Sequence, residues 1–506
     1  MVFNSLVFLL FFPLVAVVYF FLTMRIAIRH KILSNTLSQF FLLAASIVFY
    51  GYWNPAYLVL ILISVAVTWV SGLLMEGRNV REKRLVLIAS LIINLGILFF
   101  FKYYGFFTET AGILSRGGIH FPSFNVLLPV GISFYTFQAL GYSIDVYYGR
   151  VKAELNFITY ALFVTFFPQL VAGPIERSGN LLPQFKANYK FDYDRVTSGL
   201  RLAAWGMFKK VVIADRLAIY VNGVFKIPEA YNGTSLALAV FFFAFQIYCD
   251  FSGYSDIAIG CARVLGFTLM TNFRQPYFSR SITEFWRRWH ISLSTWLKDY
   301  IYIPLGGSRK GEARKHLNLL ITFLLSGLWH GAAWHFVVWG ALHAIFQIVG
   351  RITEPFRNTL GRKVGLPEES RLRKAIQICI TFILVCFAWI FFRANTMQDA
   401  FFITAKLARL PWELAEYASG LSRNGIIGTA RYAIQSVSGF GLTNLGLSLI
   451  LIVMLLIADA LLWKAPKGEI VKQKPLVLRW AGYYALILAI LLSWNTGSSQ
   501  FIYFEF

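Results

Sequence analysis

Residues 317–350 read LNLLITFLLSGLWHGAAWHFVVWGALHAIFQIVG, a run without Asp, Glu, Lys or Arg. One helix over it would reach roughly 50 Å at about 1.5 Å per residue, well past a hydrocarbon core about 30 Å thick. The stretch therefore reads as two helical pieces, and Gly327 and Gly331 offer the break, beside His330. An ionisable ring in such a setting is costly to bury and is a functional candidate. The structural alternative is a packed imidazole bonded to a helix carbonyl and to a hydroxyl such as that of Ser326, one turn earlier.

Just upstream, residues 283–307 read TEFWRRWHISLSTWLKDYIYIPLGG. They put a second histidine, His290, next to Arg287 and Arg288, where it serves either a site or the membrane interface. The whole chain is of the same character. Its 506 residues are 58% hydrophobic with mean hydropathy +0.62, which specifies an all-α polytopic membrane protein. Apolar segments lie near 3–23, 36–51, 56–75, 85–101, 126–147, 157–172, 200–222, 234–262, 317–350, 376–393, 446–463 and 480–495. About eleven of them are expected to cross, with re-entrant or interfacial pieces besides. Segment 157–172 is marginal and runs into Phe167-Pro168, so a tilted or re-entrant element fits it as well as a clean span.

The first segment has no charged start and no small-residue cleavage site, so it is expected to stay as a helix. Basic clusters follow at Arg25-Arg29-Lys31, Arg78 to Arg84, Arg351 to Lys374 and Lys464 to Arg479, a cytoplasmic spacing that places both termini outside the cytoplasm. The net charge of +23 is then the ordinary excess of Lys and Arg in cytoplasmic loops facing anionic lipid. No nucleic-acid partner is needed to explain it, although a basic face also suits a polyanionic acyl donor. Cys249, Cys261, Cys379 and Cys386 lie in or beside apolar segments and form no Cys-x-x-Cys pair, so they read as core residues. One membrane domain over 1–506 accounts for the chain, with a core to about residue 400 and C-terminal helices with an aromatic tail beyond.

His330 and His335 are five apart, about 140° around a helix, and 317–350 supplies no carboxylate, so a helical metal pair is disfavoured and no metal site is assigned. A G-x-S-x-G elbow is missing, which argues against an enzyme-borne serine nucleophile. What remains is histidine as a general base on a hydroxyl brought by another molecule, with an acyl thioester as electrophile. His330 is the base and His290 the group that orients the donor or stabilises the carbonyl oxygen. No bound cofactor is required, only the thioester as substrate. Polar residues in apolar sequence are candidates for the surrounding substrate site: Gln246, Asp250, Ser252 and Tyr254 in 245–260, with Ser326 and Trp329 next to His330. Asp250 and Asp256 read first as scaffold, paired to arginines such as Arg274, Arg287 or Arg288.

FPQLVAGPIER at 167–177, YCDFSGYSDIAIG at 248–260, residues 272–307 and LSGLWHGAAWHFVVWG at 325–340 together resemble the membrane-bound O-acyltransferase family. The resemblance runs over about residues 1–400 and is nearest the bacterial branch that holds alginate and peptidoglycan O-acetyltransferases and the teichoic-acid D-alanylation protein. It implies that His330, in Leu-Trp-His-Gly, is the essential histidine, and that His290, in Trp-Arg-Arg-Trp-His, is the second. It implies a ring of helices around a thin centre, with a funnel or tunnel where a cytoplasmic thioester meets an outer-face acceptor. The expected reaction moves acetyl from acetyl-CoA to a cell-envelope or secreted polysaccharide through an outer-face SGNH-type acyltransferase. D-alanyl transfer to teichoic acid from a carrier protein is the alternative, as is a lipid or glycan transporter. The last residues, Phe501-Ile502-Tyr503-Phe504-Glu505-Phe506, are similar to the aromatic C-terminus of the small subunit that accompanies the D-alanylation protein, whose tyrosine is implicated as an acyl relay. That likeness makes Tyr503 a catalytic candidate; an interfacial aromatic belt is the plainer account.

Overall fold

The computed structural model describes residues 1–26, 31–115, 121, 122, 124, 127–171, 173–416, 419, 441–462, 475–494 and 501–502. Among these residues the chain is helical and forms no strand. In order come α1 (Leu6–Phe21), α2 (Lys31–Gly51), α3 (Tyr57–Met75), α4 (Val80–Leu98), α5 (Tyr104–Leu114), α6 (Ile132–Tyr147), α7 (Phe157–Thr165), α8 (Phe167–Leu170), α9 (Ser178–Phe185), α10 (Tyr193–Met207), α11 (Asp215–Lys226) and α12 (Gly233–Leu265). Then follow α13 (Ile282–Trp286), α14 (Ile291–Leu297), α15 (Glu312–His330), α16 (Trp334–Ile352), α17 (Glu354–Lys363), α18 (Arg371–Arg393) and α19 (Met397–Ala408), with two further helices at Leu442–Leu462 and Leu476–Ser493. Among the described residues nine helices are long and apolar enough to cross a membrane.

That number is below the eleven expected because several apolar stretches are broken or short. Residues 157–172 split: α7 ends at Thr165, and Pro168 sits in the first turn of α8, where its missing N–H costs nothing. The 317–350 run breaks where its length required. α15 ends at His330 with Gly331 extended, at φ −161° and ψ 149°, and α16 restarts at Trp334.

The core centres on α12, which is 33 residues long and buried over nearly all its length. α10 crosses it with backbone against backbone. A Cβ on Gly199 would stand 2.7 Å from Gly260 O, and one on Gly206 would stand 2.5 Å from Gly253 O. Apolar side chains gain little by leaving lipid, so close approach at small residues supplies the contact. The α15–α16 hairpin uses the same device. A Cβ on Gly327 would meet Phe336 O at 2.2 Å, and one on Gly340 would meet Phe323 O at 2.2 Å.

Among the described residues four π-helical turns interrupt the helices, at Leu22–Ile26, Phe99–Tyr103, Phe208–Ala214 and Lys298–Tyr302. Such widened turns recur at functional sites. The one after α10 turns Lys209 and Lys210, neighbours in sequence, both inward. Lys209 Nζ lies 2.8 Å from Asp256 Oδ2 and Lys210 Nζ lies 2.6 Å from Asp250 Oδ1 and 2.8 Å from Asp215 Oδ1. The aspartates of α12 are therefore ion-paired, with lysines rather than the expected arginines. Arg288, one of the expected partners, is bonded instead to Glu284 at 2.6 Å.

Candidate functional site

His290 occupies the link between α13 and α14 with φ 43° and ψ 53°, a left-handed conformation that costs a non-glycine residue roughly 1–3 kcal/mol. The surrounding segments hold it there. Arg274 N donates to Arg288 O at 2.9 Å and Ile291 N to Asn272 O at 3.0 Å, so backbone bonds bracket the histidine on both sides. Asn272 Oδ1 accepts from Ser292 Oγ at 2.7 Å, and Asn272 Nδ2 donates to Ser255 Oγ at 3.2 Å. Ile175 N donates to Ser292 Oγ at 3.0 Å. Three of the stretches that stand out in the sequence, 167–177, 248–260 and 272–307, thus meet through one buried polar network.

His330 arrives from a different direction, at the end of α15. Its ring centroid is 6.3 Å from that of His290. The two imidazoles are 0% and 3% exposed, so each is taken out of bulk water. Aromatic walls enclose them. Trp329 lies 5.7 Å from His290 and 4.9 Å from His330, Trp339 is 4.9 Å and Phe392 5.3 Å from His330, and Phe251 is 4.6 Å from His290. A small cleft of about 40 Å³ reaches His330; Lys102, Ser133, Phe134, Trp329 and His330 are among its lining residues.

The cleft lining includes Trp329 and His330 and does not include Gln246, Asp250, Ser252, Tyr254 or Ser326. Gln246 and Ser326 are buried on α12 and α15. Ser252 Oγ accepts from Lys209 Nζ at 2.8 Å and belongs to the lysine cluster. Asp250 and Tyr254 receive the end of the chain. Asp250 Oδ2 accepts the backbone N–H of Ile502 at 2.8 Å, and Phe501 packs on Tyr254 at 4.4 Å and on Phe251 at 5.9 Å. Phe251 also touches His290, so the tail adjoins the site. Tyr503 lies outside the described residues.

The other buried histidines have evident structural duties. His335 Nδ1 bonds Phe391 O at 2.9 Å, and Trp286 Nε1 donates to His343 Nδ1 at 3.2 Å. Lys102 is the lining residue that sequence reasoning passed over. Its signal was present, since it is a lone cation in LGILFFFKYYGFF at 95–107.

A model of the membrane-bound O-acyltransferase family matches residues 149–393, which hold both histidines. A protein named probable alginate O-acetylase from Pseudomonas aeruginosa is 39% identical over 407 residues, 79% of this chain and 76% of the relative. A peptidoglycan O-acetyltransferase from Helicobacter pylori is 36% identical over 434 residues, 78% of this chain and 80% of the relative. A teichoic acid D-alanyltransferase from Bacillus subtilis is 27% identical over 298 residues, 57% of this chain and 74% of the relative.

Proposed function

The chain belongs to the membrane-bound O-acyltransferase family, and on that premise we propose that it moves acetyl from cytoplasmic acetyl-CoA to a cell-envelope or secreted polysaccharide, with His330 as general base. It is a multi-pass membrane protein and an O-acyltransferase. The observation that carries the residue assignment is the pair of buried imidazoles, 6.3 Å apart among aromatic rings, with His330 lining a cleft.

In this reading His330 takes the proton of an attacking hydroxyl while its oxygen bonds to the thioester carbonyl carbon. The C–S bond then breaks, and the departing thiolate recovers the proton from the imidazolium. A positioned base of this kind typically contributes about 10² to 10⁴ in rate. His290 orients the thioester or donates to the developing oxyanion. The aromatic walls keep water from hydrolysing the activated acyl group.

Tyr503 supplies the first attacking hydroxyl in this scheme. The burial of Phe501 and Ile502 beside Phe251 supports it, because the preceding two residues already reach the histidine's neighbour. An acyl-tyrosine keeps a good phenolate leaving group. A serine hydroxyl of an SGNH-type partner on the outer face then attacks the acyl carbon, the phenolate leaves, and the serine's proton returns to it. The partner passes the group to the glycan. The protein sits in the cytoplasmic membrane as one domain with both termini outside. Acetyl is favoured over D-alanyl because relatives named as O-acetylating enzymes match at 36–39% against 27% for the D-alanyltransferase. A transporter has no such support.

The test uses purified protein given acetyl-CoA with a labelled acetyl group. Wild type is expected to release coenzyme A and to carry label on Tyr503. His330→Ala is expected to stay folded and inserted without transferring label, and His290→Ala to be impaired less deeply. Normal transfer by His330→Ala removes the base assignment. Label taken from a D-alanyl carrier protein and not from acetyl-CoA replaces the donor.

A further inference from the structure

Two consecutive side chains hold three consecutive carbonyls at the end of the helix that carries His330. Tyr103 Oη donates to Leu328 O at 2.9 Å. Lys102 Nζ donates to Trp329 O at 2.8 Å and to His330 O at 3.2 Å, with Ser133 Oγ at 3.4 Å as its third acceptor.

These carbonyls need partners from outside their own helix. The last four C=O groups of an α-helix lack intrahelical donors and carry the negative end of its dipole. α15 stops at His330 and the chain turns extended at Gly331, so no later turn supplies N–H groups to residues 328–330. An ammonium surrounded by apolar sequence is costly unless its hydrogens are taken. Here each side satisfies the other.

The π-helical turn Phe99–Tyr103 makes the arrangement possible. It holds more residues per turn than an α-helix, so neighbouring side chains diverge less and Lys102 and Tyr103 reach one helix end together. The grip falls on the histidine's own backbone. Glycine contacts fix α15 laterally against α16, at Gly327 and, through Gly340 of α16, at Phe323, about one and two turns before the end. The final residue is secured by Lys102.

An ammonium has three N–H groups, and three acceptors within the protein account for them. That assigns Lys102 to holding the protein rather than to binding an anion in the cleft. We propose that Lys102 is a positioning residue for acyl transfer, fixing the end of α15 and with it the imidazole of His330 at the cleft floor; the catalytic part of this rests on the reading of His330 as the base.

The experiment compares wild type, Lys102→Met and Lys102→Arg as full-length protein in nanodiscs. The first readout needs no acyl donor: carbethoxylation of His330 by diethyl pyrocarbonate, quantified by peptide mass, with buried His343 as internal reference. Lys102→Met is expected to raise the His330 rate several-fold without moving His343, and Lys102→Arg, which keeps a cation and its donors, to stay near wild type. The second readout is turnover with acetyl-CoA. In Lys102→Met, kcat is expected to fall about 10- to 100-fold with KM little changed, since a displacement near 1 Å can cost about 10² in rate; Lys102→Arg is expected to recover most of it. Equal His330 labelling in wild type and Lys102→Met overturns the proposal. So does a parallel rise at His343, which means general loosening, or a loss confined to KM, which means substrate contact. Turnover surviving in His330→Ala removes the base reading instead, while the labelling ratio still decides the clamp.

Discussion

Lys210 Nζ lies 2.6 Å from Asp250 Oδ1, and the other oxygen of that carboxylate accepts the backbone N–H of Ile502 at 2.8 Å. One aspartate thus joins the π-helical turn after α10 to the end of the chain. Removing one member of a buried pair typically costs about 3–5 kcal/mol, and Asp215 at 2.8 Å keeps Lys210 partly compensated, which places Asp250→Ala near about 3. Asp250→Ala is expected to melt earlier and to expose the tail to carboxypeptidase. Asp250→Asn keeps a carbonyl acceptor for Ile502 and is expected to protect the tail better than alanine. Equal digestion of wild type and Asp250→Ala would show that the tail is held elsewhere.

The hairpin that carries His330 depends on a bare backbone at Gly340. A Cβ there would meet Phe323 O at 2.2 Å, and a carbonyl cannot swing aside as a side chain can. Gly340→Ala is expected to destabilise by at least the 1–3 kcal/mol typical of overpacking and to reduce transfer. Gly96→Ala, which meets nothing within 4 Å, is expected to leave both unchanged. Thermal melts in detergent with parallel transfer assays compare the two.

Tyr503→Phe keeps ring, size and interfacial anchoring while deleting the hydroxyl. The relay requires that polysaccharide acetylation in cells be lost. Wild-type acetylation in those cells leaves the interfacial belt as the account of the tail.

Topology is tested by single cysteines labelled in intact cells. Positions in 76–84, 351–374 and 464–479 are expected to react only after permeabilisation, and position 498 from outside. Labelling at position 498 only after permeabilisation reverses the orientation and places the tail on the donor side.

Glu176 gives a pH signature. Burial raises its carboxyl to about 7, against backbone donation from Met270 and a 2.8 Å bond from Asn180 Nδ2 that favour the charged form. A carboxyl raised on folding adds stability that is complete below about pH 4.5 and is lost as pH rises through about 7. Melting temperature is expected to carry a falling component across that window, absent in Glu176→Gln. An identical pH profile in the variant removes the assignment.

The membrane class, the break beside His330 and the interruption at Pro168 were legible because length and backbone chemistry decide them: too many apolar residues for one span, or a missing N–H. The approach of His290 to His330 was not. Forty residues separate them, and the network through Asn272, Ser292 and Ser255 fixes the link that holds His290 while His330 comes from the end of α15; the family likeness, not periodicity, pointed to both. The partners of Asp250 and Asp256 were misassigned for a local reason. On a regular helix Lys209 and Lys210 diverge by about 100°, and the sequence does not announce the π-helical turn that points both inward. Lys102 was visible as a lone cation in apolar sequence, but its use at the end of α15 depends on a second such turn.

Phe3 stacks on Tyr254 at 4.6 Å, and Phe501 packs on the same ring at 4.4 Å. In biosynthetic order Phe3 is made before Tyr254, and Phe501 long after it. Until residues 501 and 502 are made, Tyr254 lacks the Phe501 ring and Asp250 lacks the Ile502 N–H. A chain clipped before residue 501 therefore keeps both histidines and the Lys210–Asp250 pair, yet leaves one oxygen of Asp250 without its backbone donor.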